Sequence, residues 1–170
     1  VKLSIIIPVF NSSKILEKLI NEINSNLYEK FKKDYEIILI NDFSNDNSWE
    51  IIKKISEKFD FIKGIDLSYN VGQHGAIFVG LKNSNGDRII IMDDDLQHPP
   101  QSLISIYEQL DLFDACYTLY LKRKHVFWKI FVSTLNNFFS SFIFDKPFKI
   151  YTSSMKGIRG DVKDRFVDYN

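Results

Sequence analysis

Four apolar residues in a row, Ile89-Ile90-Ile91-Met92, run directly into Asp93-Asp94-Asp95, and no other stretch restricts the fold as much. A run that is apolar at every position, rather than at alternate ones, reads as a strand covered on both faces, the situation of parallel strands in α/β proteins. Pro99-Pro100 stops the run and opens the next helix. The acids therefore stand at the carboxyl end of a strand, the edge along which open α/β sheets bind ligands. In an extended chain the period of two sends Asp93 and Asp95 to one side and Asp94 to the other. Two carboxylates facing one point repel unless a proton or a cation lies between them. A hard divalent cation, Mg²⁺ or Mn²⁺, suits such oxygen ligands, with Gln97 able to add an amide oxygen and substrate phosphates completing the shell. The same acids also suit a solvated turn capping the following helix, since Asp is favoured at helix N-termini.

The rest of the chain repeats this strand, loop and helix pattern. Leu3 to Pro8 is a strand closed by Pro8, and Asn11-Ser12-Ser13 is expected to cap a helix running to about Lys30. Tyr35 to Ile40 is a second strand, closed by the turn-favouring run from Asn41 to Ser48, and a helix from Ser48 to Lys58 follows. Phe61 to Leu67 is the third strand, ending in a loop up to Gly75 with a helix expected over Ala76 to Leu81. After the fourth strand, Ser102 to Leu110 is helical, Ala115 to Leu121 is a fifth strand, and His125 to about Phe144 is an aromatic-rich helix; another helix starts at Asp161. Such alternation predicts a single α/β domain over 1–170, a mainly parallel, Rossmann-like sheet with helices on both faces. No Gly-x-Gly-x-x-Gly or Gly-x-x-x-x-Gly-Lys-Ser/Thr occurs, so a nucleotide would be held through its base and a metal on its diphosphate.

Composition narrows the classes further. Lys plus Arg equals Asp plus Glu at 22 each, so no net charge steers the chain to nucleic acid. Residues 122 to 165 are nevertheless enriched in Lys and Arg, which points to an anionic partner for that region. The single cysteine, Cys116, reads as core, and the absence of an internal disulfide fits a reducing compartment. The chain begins on Val1 without a charged leader and contains no run of eighteen apolar residues. With its end inside a helical pattern at Asn170, it reads as a piece of a longer protein.

Four segments, in order and in register, resemble the family 2 nucleotide-sugar glycosyltransferases of the GT-A fold: Ile5 to Asn11, Ile40 to Ser48, Asn70 to Ala76 and Asp93 to Pro100. The Leu96-Gln97 continuation and the Pro pair are similar to the branch that makes polyprenyl-phosphate sugars. The resemblance implies that Asp93, Asp95 and Gln97 hold the metal on the donor diphosphate and that Asp94 lies near the ribose or sugar. It also implies a base pocket of Pro8, Phe10 and Asn11, with Asp42 accepting from the base ring and Gly72 and Gln73 beside the nucleotide. Lys129 and Ser133, with Lys122, Arg123 and Lys124 nearby, fit the place where the branch binds the phosphate of its lipid acceptor. His74 reads equally well as an exposed loop residue. Departures from the family pattern are Ser12, Asn41 and Phe43, the last where Gly is usual, and Tyr120 or Leu121 where an Arg is usual.

The function so implied is inverting transfer of a sugar from a nucleoside-diphosphate sugar, UDP in preference to GDP, to an undecaprenyl or dolichyl phosphate. Residues 122–149, rich in Phe and Lys, suit a bilayer surface on its cytoplasmic side as well as core packing. A rival is transfer to a carbohydrate hydroxyl with Asp145 or Asp161 as general base. A second is an inactive sugar-nucleotide-binding domain.

Overall fold

The computed structural model describes residues 1–97, 99, 101–119 and 152–167. Six strands form one sheet: β1 (Leu3–Val9), β2 (Tyr35–Asn41), β3 (Ile62–Asp66), β4 (Arg88–Ile91), β5 (Ala115–Leu119) and β6 (Thr152–Arg159). Their spatial order is β3-β2-β1-β4-β6-β5. The helices are α1 (Leu16–Phe31), α2 (Ser48–Lys58), α3 (Gly72–Lys82), α4 (Gln101–Gln109) and α5 (Gly160–Val167). β1 pairs in parallel with β2 and β4, and β2 with β3, whereas β6 runs antiparallel to β4.

The unbroken apolar runs follow from a sheet covered twice. Ile5, Ile7, Ile37, Leu39, Ile90 and Met92 pack with α1, α2 and α4 in one core. Their neighbours Ile6, Ile38, Ile40, Ile89 and Ile91 point the other way and pack with Ala76 and Ile77 of α3 in a second. Every residue of β1 is buried, and each isoleucine so covered contributes roughly 1.5–3 kcal/mol of burial. Gly80 permits the close approach of α3, for a Cβ there would stand 2.4 Å from Ile6 Cγ2.

Several boundaries differ from expectation for local reasons. Ile15 precedes α1 without a side-chain cap; instead the Ser12 carbonyl accepts from the N–H groups of Ile15 and Leu16. α3 begins at Gly72, not Ala76, because the Asn70 side chain accepts the Gly72 N–H and Gly72 takes φ +77°. β6 has no counterpart in the pattern reading: Thr-Ser-Ser-Met-Lys-Gly-Ile-Arg lacks a β-branched run. What admits it is packing, since the backbone of Gly157 lies where a Cβ would meet Ile106 Cγ2 at 2.4 Å. The expected helix over 125–144 and the basic residues 122–129 lie outside the described residues. Among the described residues no helix is long and apolar enough to cross a membrane.

Candidate functional site

The order β3-β2-β1-β4 contains a reversal: the chain winds outward from β1 to β3, and α3 carries it back to the other side of β1. Between the carboxyl ends of β1 and β4 the connecting loops diverge, which leaves a crevice at this switch point. There the structure has a cleft of about 390 Å³ lined by Pro8, Val9, Phe10, Asp42, Asn70, Gly72, Gln73, Asp93, Asp94 and Asp95. Of the residues expected in the donor site, eight therefore come together from four loops. Asn11 and Gln97 are not among those lining the cleft, and His74 is exposed on α3. Lys122, Arg123, Lys129 and Ser133 lie outside the described residues.

The acids do not alternate as an extended chain would make them. β4 ends at Ile91, its ladder to β1 continues only through the Met92 N–H on the Ile6 carbonyl, and the chain then bends. Gln97 closes that bend by donating its backbone N–H to Asp95 Oδ1 at 3.0 Å, with Leu96 in the left-handed region at φ +57°. All three aspartates consequently line the same cleft. Asp93 Oδ1 accepts from Gln73 Nε2 at 2.6 Å, which ties the acid loop to the first turn of α3. Asp94 Oδ2 accepts the Phe10 backbone N–H at 3.3 Å, which ties the same loop to β1. Burial pushes the Asp94 carboxyl above the usual range; hydrogen bonds from the Ser12 hydroxyl and Phe10 oppose this, and the charge of Asp93 adds to it.

Asp42 stands on the floor of the cleft, 4% exposed. Its Oδ1 accepts the Val71 N–H at 2.7 Å and its carbonyl accepts from Asn70 Nδ2 at 3.0 Å, which joins the β2 and β3 loops. The β1 and β2 loops are interlocked in the same way. Asn11 N–H donates to Ser44 Oγ at 3.0 Å, Asn45 N–H to Asn11 Oδ1 at 2.8 Å, and Ser12 N–H to Ser48 Oγ at 2.9 Å. Asp46 receives Ser13 N–H and both the N–H and hydroxyl of Ser48. Burial alone would raise the Asp46 pKa, but these hydrogen bonds outweigh it and bring it down to about 2. Pattern reading saw in Asn41 to Ser48 only turns and caps, and it missed Asp46 as the knot of two loops. The signal was present in its Asp-x-Ser spacing, which favours a side chain accepting the N–H two residues on.

Asp93 and Asp95 offer hard carboxylate oxygens at one wall of the cleft, a donor set that fits Mg²⁺ or Mn²⁺. Among the described residues no three His, Cys, Asp or Glu side chains converge to hold a metal by themselves. A cation here would draw its remaining ligands from water and from a bound phosphate group, as Mg²⁺ commonly does. Of the two expected alternative bases, Asp145 lies outside the described residues and Asp161 is far away. It lies just past Arg159, which pairs in register with Arg88 at the amino end of β4, and it is bonded to the Arg159 guanidinium. The strand from Arg88 to Ile91 alone puts roughly 10 Å between the two edges.

Comparison with known proteins agrees with this arrangement. The chain is 33% identical over 168 residues to the undecaprenyl-phosphate 4-deoxy-4-formamido-L-arabinose transferase of Salmonella choleraesuis, covering 98% of this chain and 51% of that protein. It thus spans about half the length of the curated relatives it matches. Similar folds occur in S. aureus TarS 1–349 in complex with UDP, at TM-score 0.67 and 21% identity over 98% of this chain and 49% of that one. Glucosyl-3-phosphoglycerate synthase from Mycobacterium tuberculosis, in complex with Mn²⁺, UDP and phosphoglyceric acid, aligns at TM-score 0.71 and 16% identity over 95% of this chain and 56% of that one. The sheet with its crevice at the β1/β4 switch point is the GT-A fold. Residues 4–165 match the profile of Glycosyl transferase family 2, and the chain belongs to that family.

Proposed function

We propose that this chain is the donor-binding catalytic domain of an inverting glycosyltransferase that moves a sugar from a nucleoside-diphosphate sugar to a polyprenyl phosphate. The observation that carries the proposal is the cleft itself, which Asp93 and Asp95 line together with Pro8, Phe10 and Asp42 at the sheet's carboxyl edge. The half-exposed ring of Phe10 offers a base a face to stack on, and Asp42 offers it an acceptor. Gly72 and the first turn of α3 flank the place of the phosphates. UDP is the preferred nucleotide, as in the two solved complexes named above. The relative that acts on undecaprenyl phosphate supports the lipid acceptor.

In this reading Asp93 and Asp95 hold Mg²⁺ or Mn²⁺, which when bound neutralises charge on the departing diphosphate. Gln73 fixes the orientation of Asp93 through its 2.6 Å hydrogen bond. An acceptor phosphate is ionised near neutral pH, so its oxygen attacks the anomeric carbon without a general base. That requirement agrees with the distance of Asp161 from the cleft. Catalysis then consists of holding nucleophile and carbon in line while water is kept from the leaving group. Lys129 and Ser133, with Lys122 and Arg123, are assigned to the acceptor phosphate, and the domain to the cytoplasmic membrane surface, on the family resemblance.

The test is turnover of a UDP-sugar with undecaprenyl phosphate in detergent by the full-length protein. EDTA should abolish it and Mn²⁺ or Mg²⁺ restore it. Asp95→Ala should lower kcat/KM by at least about a hundredfold, the loss typical of one electrostatic contact to developing charge. Activity equal to the parent's in Asp95→Ala would refute the assignment.

A further inference from the structure

Asp94 stands between the two acids assigned to the cation, yet its carboxylate is turned to another loop. Oδ2 accepts the backbone N–H of Phe10 at 3.3 Å; the Ser12 hydroxyl, which donates to the Phe10 carbonyl at 3.2 Å, is also near enough to hold the Asp94 pKa down against burial. The segment it grips is the one that needs holding. Asn11, next to Phe10, sits at φ +55°, and Phe10 is 49% exposed. The other side of the segment is pinned by Ser44, Asn45 and Ser48, so Asp94 supplies its attachment to the acid loop.

We infer that Asp94 is a positioning residue for base recognition: it acts as a hydrogen-bond acceptor that holds the Phe10–Ser12 segment, and with it the stacking ring, against the acid loop. This rests on the donor reading above. An acceptor role does not require charge, so the isosteric amide keeps it and a methyl group does not.

The experiment measures affinity for uridine and for UDP with Mn²⁺ by calorimetry, in the parent, Asp94→Ala, Asp94→Asn and Ser12→Ala, with thermal unfolding of each as a check of folding. Asp94→Ala should weaken both ligands by the same factor of about ten, the usual worth of a lost hydrogen bond near 1–1.5 kcal/mol. Asp94→Asn should stay within about threefold of the parent, and Ser12→Ala should fall between the two. Because uridine has no phosphate, a loss confined to UDP would place Asp94 at the cation or the diphosphate and overturn the inference. So would Asp94→Asn as weak as Asp94→Ala, or Asp94→Ala as tight as the parent. A parent protein that binds neither ligand would overturn the donor reading itself, and this inference with it.

Discussion

Gly72→Ala separates two reasons for a glycine at the cleft. The residue takes φ +77°, where an L side chain is strained, and a Cβ built there meets nothing within 4 Å. Alanine would therefore add backbone strain and no collision inside the protein. The left-handed region costs an ordinary residue about 1–2 kcal/mol, and stiffening of the unfolded chain returns up to about half of that. A net loss near 1 kcal/mol corresponds to a fall in Tm of about 2–4 °C for a chain of this size. The space in front of Gly72 belongs to the cleft, so the same methyl would stand where a diphosphate is proposed to lie. UDP affinity in the presence of Mn²⁺ should drop by about tenfold or more, equivalent to 1.4 kcal/mol. Gly72→Asn is the companion variant: Asn tolerates the left-handed region, so stability should largely recover, while its longer side chain still obstructs the cleft. Thermal unfolding and calorimetry with UDP report the two effects independently. If both variants bind UDP as tightly as the parent, the open space at Gly72 holds no nucleotide. A stability loss above about 3 kcal/mol in Gly72→Ala would show that the strain argument omits a contact.

Phe43 is the converse case: an aromatic residue at φ +58° with half its surface exposed. Phe43→Gly should change stability by no more than about 1 kcal/mol in urea unfolding, since relief of strain is offset by the looser unfolded chain and the lost half-burial of the ring, and a larger loss would mean that the ring packs more tightly than its exposure suggests. Asp46 should give the acid limb of the stability profile. Its folded pKa of about 2 lies below the unfolded value near 3.9, so its contribution is complete above about pH 4 and is lost as pH falls toward 2. In urea titrations between pH 6 and 2.5 the gap between the parent and Asp46→Asn should shrink below pH 4, reduced in size by solvent screening. A gap that does not change with pH would remove Asp46 from that role.

The sheet and its two coats of helices were readable from the chain because full burial of parallel strands forces apolar residues at consecutive positions, as in Ile5-Ile6-Ile7 and Ile89-Ile90-Ile91. Strand ends were legible only to within a residue: β1 carries on through Pro8 to Val9 and β2 through Asn41, because these residues still pair in the parallel ladder. Residue identity at those ends also pointed to the cleft: Pro8, Phe10, Asp42, Gly72, Gln73 and the acids line it as a group. β6 was not readable, because its place beside β4 is set by the absence of a Cβ at Gly157 against Ile106, a contact between residues 51 positions apart. Nor could spacing reveal that Asp94 turns toward Phe10. Alternation holds only while the chain stays extended, and the bend closed by the Gln97 N–H on Asp95 leaves all three aspartates lining one cleft while the Asp94 carboxylate bonds the Phe10 N–H. Local sequence thus determined which residues gather at the sheet edge, whereas the partner of each side chain depended on backbone turns made by hydrogen bonds between loops distant along the chain.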